Sequence, residues 1–212
     1  MEIPLKEGAV IESKGKYRVS KRDEAFIDEI FDRARADGRM SLVQGVVSAG
    51  WPCFVVWQRG KGRVVIDLRS LNDKVVKDAY PLPMQQDIIG ETRDKDEISA
   101  FDLVKAFHQF MLKVADRWKT TVVSHRGQEM LNTAPTGFIN SPSHAQKFMD
   151  KKLEPHKAYA KCYIDNIVVF SDNFQDHLKH IDAVLATISE CGMTLGPDKC
   201  YVHQPSRHVT RS

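Results

Sequence analysis

Cysteines are few in this sequence, and their spacing suits neither a disulfide framework nor a zinc cluster. The four cysteines include no Cys-x-x-Cys pair, whereas small disulfide-dependent domains carry cysteine at much higher density. Cys200 and His203 have a ligand-like spacing, but two side chains do not fill the four positions of a structural zinc site. A reducing, intracellular compartment is therefore expected, with cytoplasm and nucleus both left open.

Long apolar runs and a strong charge bias are also missing. No run approaches the roughly 20 residues that a membrane helix requires, so no membrane partner is predicted. The 31 Lys and Arg residues nearly balance the 28 Asp and Glu residues, and the net charge is only +3. This excess does not by itself indicate nucleic-acid binding, although a local basic face can contact phosphates whatever the total charge.

The chain does contain short strands and helices separated by turn residues. Apolar positions at helical spacing predict a helix over 22–39 with Gly38 near its end, and residues 53–57 and 63–68 are typical of two strands joined by a turn over 58–62. Further along, the pattern predicts a strand at 98–102, a helix from Ser141 (as N-cap) to Leu153, a hairpin over 160–171 with Asp165 and Asn166 at its tip, a helix from Phe174 to near Gly192, a strand at 193–195 and a turn at 196–198. Because at least two hairpins are antiparallel, we expect an α+β fold with helices on one face of the sheet, rather than a doubly wound parallel sheet.

Two aspartates stand at the ends of short apolar strands. Asp102 follows the run 98–101, and Asp165 follows 162–164. An ionised carboxylate is costly to bury without a partner, and two neighbouring strands would bring both carboxylates together, where divalent cations relieve their repulsion. Taken alone, either aspartate is more typical of a cap on a turn or helix than of a metal ligand.

Longer segments around these aspartates occur in a distinctive order. They are 63–72 (RVVIDLRSLN), 80–83 (YPLP), 101–109 (FDLVKAFHQ), 135–142 (PTGFINSP) with 146–150 (QKFMD), 163–166 (YIDN), 170–171 (FS), 177–178 (HL) and 195–200 (LGPDKC). Each segment is a weak signal, but the ordered set resembles the reverse transcriptase domain of gypsy-type long-terminal-repeat retrotransposon polyproteins. The resemblance spans roughly residues 20–203.

The resemblance implies the palm of a right-hand polymerase, with an antiparallel sheet backed by helices, together with a fingers subdomain. It divides the chain into an N-terminal arm (1–22), fingers (23–83), a palm with part of the fingers interleaved (84–203) and a tail (204–212). The thumb is expected to be absent, since the sequence ends soon after Cys200.

The resemblance also implies site residues and ligands. Asp102 and Asp165, with the Leu103 carbonyl, would hold two Mg²⁺ ions, with Mn²⁺ as an alternative, and Asn166 would complete the catalytic box. The implied partners are an RNA or DNA template with its primer, deoxynucleoside triphosphates and other segments of a retrotransposon polyprotein.

Four further positions match nucleotide-binding residues of the family. Phe107 would exclude a 2′-hydroxyl, Arg63 would bind the triphosphate, Gly137 would let the backbone approach the nucleotide, and Lys199 would protonate the leaving pyrophosphate. Each has a simpler explanation: core packing, a solvated charge on an edge strand, a turn glycine and a surface lysine, respectively.

The sequence departs from the family pattern in three places besides its end. Asn166 replaces a second aspartate and removes one negative charge from the metal site. Gln58 stands near the place of a fingers lysine, for which Arg59 or Lys61 is a substitute, and Thr136 replaces a larger residue.

These departures leave alternatives open. The leading hypothesis is an RNA-directed DNA polymerase core. The second is a truncated or decayed relic that binds nucleic acid without catalysis. The third is a fold fragment that either has no function or is retained for protein interaction. An RNA-copying RNA polymerase is disfavoured by Phe107, because such an enzyme needs room for the 2′-hydroxyl.

Overall fold

The structure is a computed structural model that describes residues 1–205, and the side chains of residues 1–202. The chain forms two compact units. The first unit contains residues 1–77 and 110–141, and the second contains residues 78–109 and those from 142 onward. The chain therefore leaves the first unit after Lys77 and returns to it for residues 110–141.

The first unit is built on a five-stranded sheet of order β1-β6-β5-β2-β3. Its strands are β1 (Met40–Leu42), β2 (Trp51–Gln58), β3 (Lys61–Ile66), β5 (Val122–Ser124) and β6 (Gly127–Leu131). All neighbours pair antiparallel except β2 and β5, which are parallel. The sequence patterns predicted β2 and β3 but not β1, β5 or β6, which are too short to show an alternating pattern.

Two helices accompany this sheet, α1 (Lys21–Ala36) and α2 (Arg69–Lys74). Helix α1 begins where the Ser20 side chain accepts a hydrogen bond from the Asp23 N–H, and it buries Ile27 and Phe31, as expected for an amphipathic helix. The helix ends at Ala36, and the following Gly38 has φ +70°. Residues 1–20 include no helix, but Ile3 is fully buried in the core of this unit.

The second unit contains a four-stranded sheet of order β7-β8-β4-β9. Its strands are β4 (Glu97–Asp102), β7 (Ala160–Tyr163), β8 (Asn166–Ser171) and β9 (Tyr201–Pro205), and all of its pairings are antiparallel. The helices of this unit are α3 (Gln85–Thr92), α4 (Ser141–Leu153) and α5 (Phe174–Glu190).

Alternation along β4 explains how this sheet is covered. Ser99 and Phe101 are buried, whereas their neighbours Ala100 and Asp102 are partly exposed, because successive side chains of a strand point to opposite faces. The buried face packs with Met149 of α4 and with Val184 of α5 in one apolar cluster. The helices therefore cover one face of the sheet, and Asp102 belongs to the other.

Several sequence-based expectations need correction here. The tip of the β7–β8 hairpin is Ile164 and Asp165, since Tyr163 pairs with Asn166. Residues 193–195 form no strand; Leu195 makes only an isolated bridge with Leu103. The turn predicted at 196–198 is a 3₁₀ helix, Pro197–Lys199.

The ends of two other elements also differ from expectation. Phe174 and Leu178 are exposed, so the buried face of α5 is His177, Ile181, Val184 and Ile188. Strand β9 extends to Pro205, inside the predicted tail 204–212, because it completes the edge of the sheet beside β4. The rest of that tail, residues 206–212, lies outside the described residues. In the described part of the chain, no helix is long and apolar enough to cross a bilayer.

Candidate active site

Asp102 is the last residue of β4, on the sheet face that the helices leave uncovered. Its side chain is 16% exposed, so the carboxylate is reachable although it lies close to the sheet. The next residue, Leu103, is buried. Its N–H donates to the Asp165 carbonyl at 2.8 Å. The backbone after β4 is therefore joined directly to the β7–β8 turn.

The β7–β8 hairpin brings the second aspartate to the same end of the sheet. Strand β4 pairs with β8 from Glu97 opposite Ser171 to Asp102 opposite Asn166. Asp165 immediately precedes Asn166 in the turn, so Asp102, Asp165 and Asn166 are neighbours. The Asn166 amide donates to Asp165 Oδ1 at 3.3 Å. Because this amide is neutral, the two carboxylates are the anionic groups of the cluster.

The turn that carries Asp165 has a strained backbone. Ile164 has φ +59°, and in a two-residue hairpin turn a positive φ at the first central position favours glycine. For a β-branched residue this conformation is an outlier that costs on the order of 1–3 kcal/mol. Neighbouring contacts must therefore stabilise the turn.

Gln146 of α4 provides such contacts. Its Oε1 accepts from the Ile164 N–H at 2.8 Å, and its Nε2 donates to the Cys162 carbonyl at 2.8 Å. Nε2 also donates to Asp150 Oδ1 at 2.8 Å, and Asp150 Oδ2 accepts from the Tyr80 hydroxyl at 2.7 Å. The bond to the Asp150 carboxylate raises the pKa of Tyr80 to about 12, so this hydroxyl remains a donor at neutral pH.

Lys199 lies beside Asp102. Its ammonium nitrogen is 3.4 Å from Asp102 Oδ1, and the lysine side chain is 71% exposed. The 3₁₀ turn that carries Lys199 is held to β4 because the Gly196 N–H donates to the Asp102 carbonyl at 2.8 Å. An exposed ion pair of this kind contributes about 0–1 kcal/mol, so a stronger cation can displace the lysine at little cost.

Phe107 lies in a 3₁₀ turn, Ala106–Gln109, that follows β4 after Lys105, whose φ is +46°. Its side chain is only partly buried, unlike a residue of the core. Gln109 fixes this loop: its amide nitrogen donates to the Val104 carbonyl at 2.7 Å and its oxygen accepts from the Thr194 N–H at 2.8 Å. Phe107 therefore lies in a loop that Gln109 holds through hydrogen bonds to the backbone of Val104 and of Thr194.

Arg63 and Gly137 belong to the first unit. Arg63 is exposed on β3, an edge strand of the five-stranded sheet. Gly137 is exposed, with φ +87° and open space where a Cβ would lie. Its carbonyl accepts from the Asn72 amide at 2.9 Å, and the Asn72 oxygen accepts from the Ile139 N–H at 2.9 Å. The other predicted site residues (Asp102, Leu103, Phe107, Asp165, Asn166 and Lys199) all belong to the second unit.

The donor groups at the end of β4 are suited to a hard divalent cation only in part. Among the side chains of residues 1–202, no group of three or more His, Cys, Asp or Glu residues is arranged to hold a metal ion. The available donors are two carboxylates and neutral oxygens of Leu103 and Asn166. Magnesium is commonly bound by one or two carboxylates completed by water and substrate phosphates, so this set fits a cation that is shared with a phosphate ligand.

The sequence patterns predicted no individual role for Gln109, Gln146 or Tyr80, although all three lie in segments that carry the family resemblance. The signal for Gln146 was available. It lies on the same side of α4 as Met149 and Leu153, both core residues, and a glutamine at a core position of a helix requires hydrogen-bond partners.

Comparison with known proteins gives a consistent result. A family model described as "Reverse transcriptase (RNA-dependent DNA polymerase)" matches residues 56–210. The "Enzymatic polyprotein" of Cauliflower mosaic virus (strain Strasbourg) is 32% identical over 142 residues, which are 67% of this chain and 21% of that protein. The "Retrovirus-related Pol polyprotein from transposon gypsy" of Drosophila melanogaster is 33% identical over 156 residues, 70% of this chain and 15% of that protein. The chain thus spans about a fifth or less of the length of these relatives.

The fold also matches solved structures. A foamy viral protease-reverse transcriptase in complex with double-stranded DNA superposes with a TM-score of 0.85 at 20% identity, over 97% of this chain and 36% of that one. The same enzyme in complex with an RNA/DNA hybrid gives a TM-score of 0.83 at 19% identity, over 95% and 27%. At this identity the likeness concerns the fold alone, and it confirms the predicted α+β class, in which antiparallel sheets and helices match the palm and fingers of a reverse transcriptase.

Proposed function

The chain belongs to the reverse transcriptase (RNA-dependent DNA polymerase) family, and from this premise we propose that it supplies the catalytic core for RNA-directed DNA synthesis. The reaction transfers a nucleotide from a deoxynucleoside triphosphate to the 3′-hydroxyl of a primer on an RNA or DNA template. The observation that carries the proposal is the pairing of Asp102 with Asn166 and the 2.8 Å bond from the Leu103 N–H to the Asp165 carbonyl, which make the two aspartates neighbours.

In this proposal Asp102 and Asp165 bind divalent cations, with the Leu103 carbonyl and Asn166 as neutral donors. Two Mg²⁺ ions, or Mn²⁺ in their place, would activate the attacking hydroxyl and neutralise charge on the pyrophosphate. Lys199, beside Asp102, is suited to give a proton to the leaving pyrophosphate. In the absence of a cation, its exposed ammonium group screens Asp102.

The remaining predicted residues act on the nucleotide. The partly exposed Phe107 ring, held by the Gln109 loop, excludes a 2′-hydroxyl and so favours deoxynucleotides. Arg63 offers an exposed guanidinium group, which binds phosphate in a planar, two-point geometry. Gly137 has φ +87°, which residues with a Cβ rarely adopt, and the space where a Cβ would lie is open. Its bare backbone therefore allows a nucleotide to approach closely. Two of the solved relatives are complexes with double-stranded DNA and with an RNA/DNA hybrid, and this supports a template–primer duplex as partner. Other segments of a retrotransposon polyprotein are the further partners that we propose.

A primer-extension assay tests this function. Purified protein with an oligo(dT) primer on a poly(rA) template is expected to give a Mg²⁺- or Mn²⁺-dependent product. A variant with Asn166→Asp adds the missing negative charge beside the cation site. Because one added charge at contact distance is worth at least about one factor of ten in affinity, the metal concentration at half-maximal rate should fall about tenfold.

Asn166 also supports a second candidate, a relic that binds nucleic acid without catalysis. With one carboxylate fewer, the cation site is weaker, whereas a neutral side chain at position 166 adds no charge that would repel a nucleic acid. Salt-sensitive binding of primer–template with no extension by the wild-type protein, and recovery of extension in the Asn166→Asp variant, would establish this candidate in place of the first. If neither the wild-type protein nor the Asn166→Asp variant extends the primer, the lack of activity has a cause other than Asn166.

A further inference from the structure

The β7–β8 turn holds Asp165 in a conformation that its own sequence disfavours. Within residues 1–205, the non-glycine residues with positive φ are Arg59, Lys105 and Ile164, and only Ile164 is β-branched. A β-branched side chain in this region clashes with its own backbone. The turn Ile164–Asp165 would therefore relax to another geometry without an external restraint, and Asp165 would move with it.

Gln146 is such a restraint, because its amide group bonds the backbone of Cys162 and of Ile164, where the chain enters the turn. Its oxygen accepts from the Ile164 N–H and its nitrogen donates to the Cys162 carbonyl, each at 2.8 Å. A side-chain amide that pairs with one backbone N–H and one backbone C=O acts like a short piece of neighbouring strand. The side chain is fully buried, so water does not compete for either bond.

The position of Gln146 is itself fixed from outside the hairpin. Asp150, one turn further along α4, accepts from Gln146 Nε2 at 2.8 Å and from the Tyr80 hydroxyl at 2.7 Å. A glutamine whose nitrogen has two acceptors cannot rotate its amide by 180° without losing all of these bonds. The amide orientation that presents oxygen to Ile164 is therefore the one that is stabilised.

We infer that Gln146 is a positioning residue, which holds the strained Ile164 turn so that Asp165 stays beside Asp102 for cation binding. The inference rests on the proposed function for its catalytic meaning, although the restraint on the turn stands by itself. Gln146 makes no contact with substrate in this role. It acts through the backbone of residues 162–164.

Three variants separate this role from a merely structural one. Gln146→Met keeps the size of the side chain and removes all of its hydrogen bonds. Gln146→Glu keeps an acceptor for the Ile164 N–H, but its second oxygen faces both the Cys162 carbonyl and the Asp150 carboxylate, where a single bound proton can make only one of the two original bonds. Gln175→Met is the matched control, because Gln175 is an exposed residue of α5 and the same substitution there leaves the turn untouched.

The first measurement is hydrogen exchange at the Ile164 amide, and the second is the Mn²⁺ concentration at half-saturation, read by electron paramagnetic resonance at a temperature where every variant is folded. For Gln146→Met we expect Ile164 exchange at least about tenfold faster and half-saturation raised about 10- to 100-fold, as for loss of a group that orients a metal ligand. Gln146→Glu should restore part of the Ile164 protection, and Gln175→Met should change neither quantity.

A change at Ile164 itself completes the test. Glycine accepts positive φ without strain, so Ile164→Gly should reduce the effect of Gln146→Met on Mn²⁺ binding when the two are combined. Unchanged Ile164 exchange in Gln146→Met, or equal effects of Gln146→Met with and without Ile164→Gly, would overturn the inference. Faster Ile164 exchange in a protein that neither binds Mn²⁺ nor extends a primer would overturn the proposed function and still support the restraint on the turn.

Discussion

Acidic side chains gather in both units of the molecule, but their charges are balanced in different ways. In the first unit Arg126 bonds Asp28 at 3.0 Å, Asp32 at 2.6 Å and Glu129 at 3.1 Å. The Glu129 side chain is 2% exposed, and Arg35 provides it with a second, longer contact at 3.4 Å. This cluster is closed, since its central cation is part of the protein.

In the second unit Asp102 and Asp165 have no arginine bonded to them in the described part of the chain. Their neighbours are the exposed ammonium group of Lys199 and the amide of Asn166. A closed acid cluster stabilises its fold and has little capacity for a further cation, whereas an open one keeps that capacity. The open cluster at the end of β4 is therefore the one that can bind an added cation.

Removing the cation of the closed cluster should be costly. Arg126→Met leaves a buried glutamate without its main partner, and breaking a buried ion pair from one side costs about 3–5 kcal/mol. The free energy of unfolding, from chemical denaturation, should fall by that amount. Arg33→Met is the control: Arg33 and Glu29 are both more than half exposed, so about 0–1 kcal/mol is expected. Equal losses in the two variants would contradict the contrast.

Removing an acid of the open site should change activity rather than stability. Loss of an outer-shell group costs about 10- to 100-fold in metal affinity or activity, so Asp102→Asn or Asp165→Asn, which lose a direct ligand, should reduce primer extension more than 100-fold. Asp172→Asn, at an acid that is 72% exposed, is the matched control and should extend normally. A marked drop in unfolding free energy in the first two variants would place them with the closed cluster instead.

The closed cluster should also respond to acid. Hydrogen bonds from Arg126, and then from Arg35, hold the pKa of Asp32 below its usual value. A carboxylate with a lowered pKa in the folded state contributes stability above the unfolded pKa of about 4 and loses it as the pH falls through the folded pKa. An NMR titration should show the lowered pKa of Asp32 in the wild type, and a return toward about 4 in Arg126→Met. No change between the two proteins would mean that Arg126 is not the cause.

The smallest effect is expected at Lys199. Because its pair with Asp102 is exposed, Lys199→Met should change the unfolding free energy by less than about 1 kcal/mol. The cation loses a competitor, so the metal concentration for half-saturation should fall by less than about tenfold. A large loss of stability would show that the lysine belongs to the structure rather than to an open site.

The two hairpins show what the sequence could and could not predict. The β2–β3 turn was expected from its glycines, and Gly60 and Arg59 do have positive φ. The same rule placed the tip of β7–β8 at Asp165 and Asn166, where those residue types suit positive φ, and it was wrong by one position. The residue with positive φ is Ile164. Its turn is disfavoured by local preferences and is stabilised by Gln146 of α4, a contact that local sequence rules do not include. The fold class and the acid-bearing strands follow from local patterns and family resemblance, whereas this tertiary contact does not.

The short strands were missed for a related reason. Strands β1 and β5 have three residues each, too few for an alternating pattern, and they are defined by their partners in the sheet. Strand β9 similarly exists because β4 offers a free edge. Pairing across long sequence separations therefore decided what local sequence left open.

The central claim is that Asp102 and Asp165 together bind a divalent cation at the end of β4. The most direct test is paramagnetic broadening by Mn²⁺ of the backbone amide signals. The account predicts strong broadening at Leu103 and Asn166 in the wild type, and its loss in Asp102→Asn and in Asp165→Asn. Broadening that is centred on the Asp28 and Asp32 cluster, or that survives both substitutions, would contradict it.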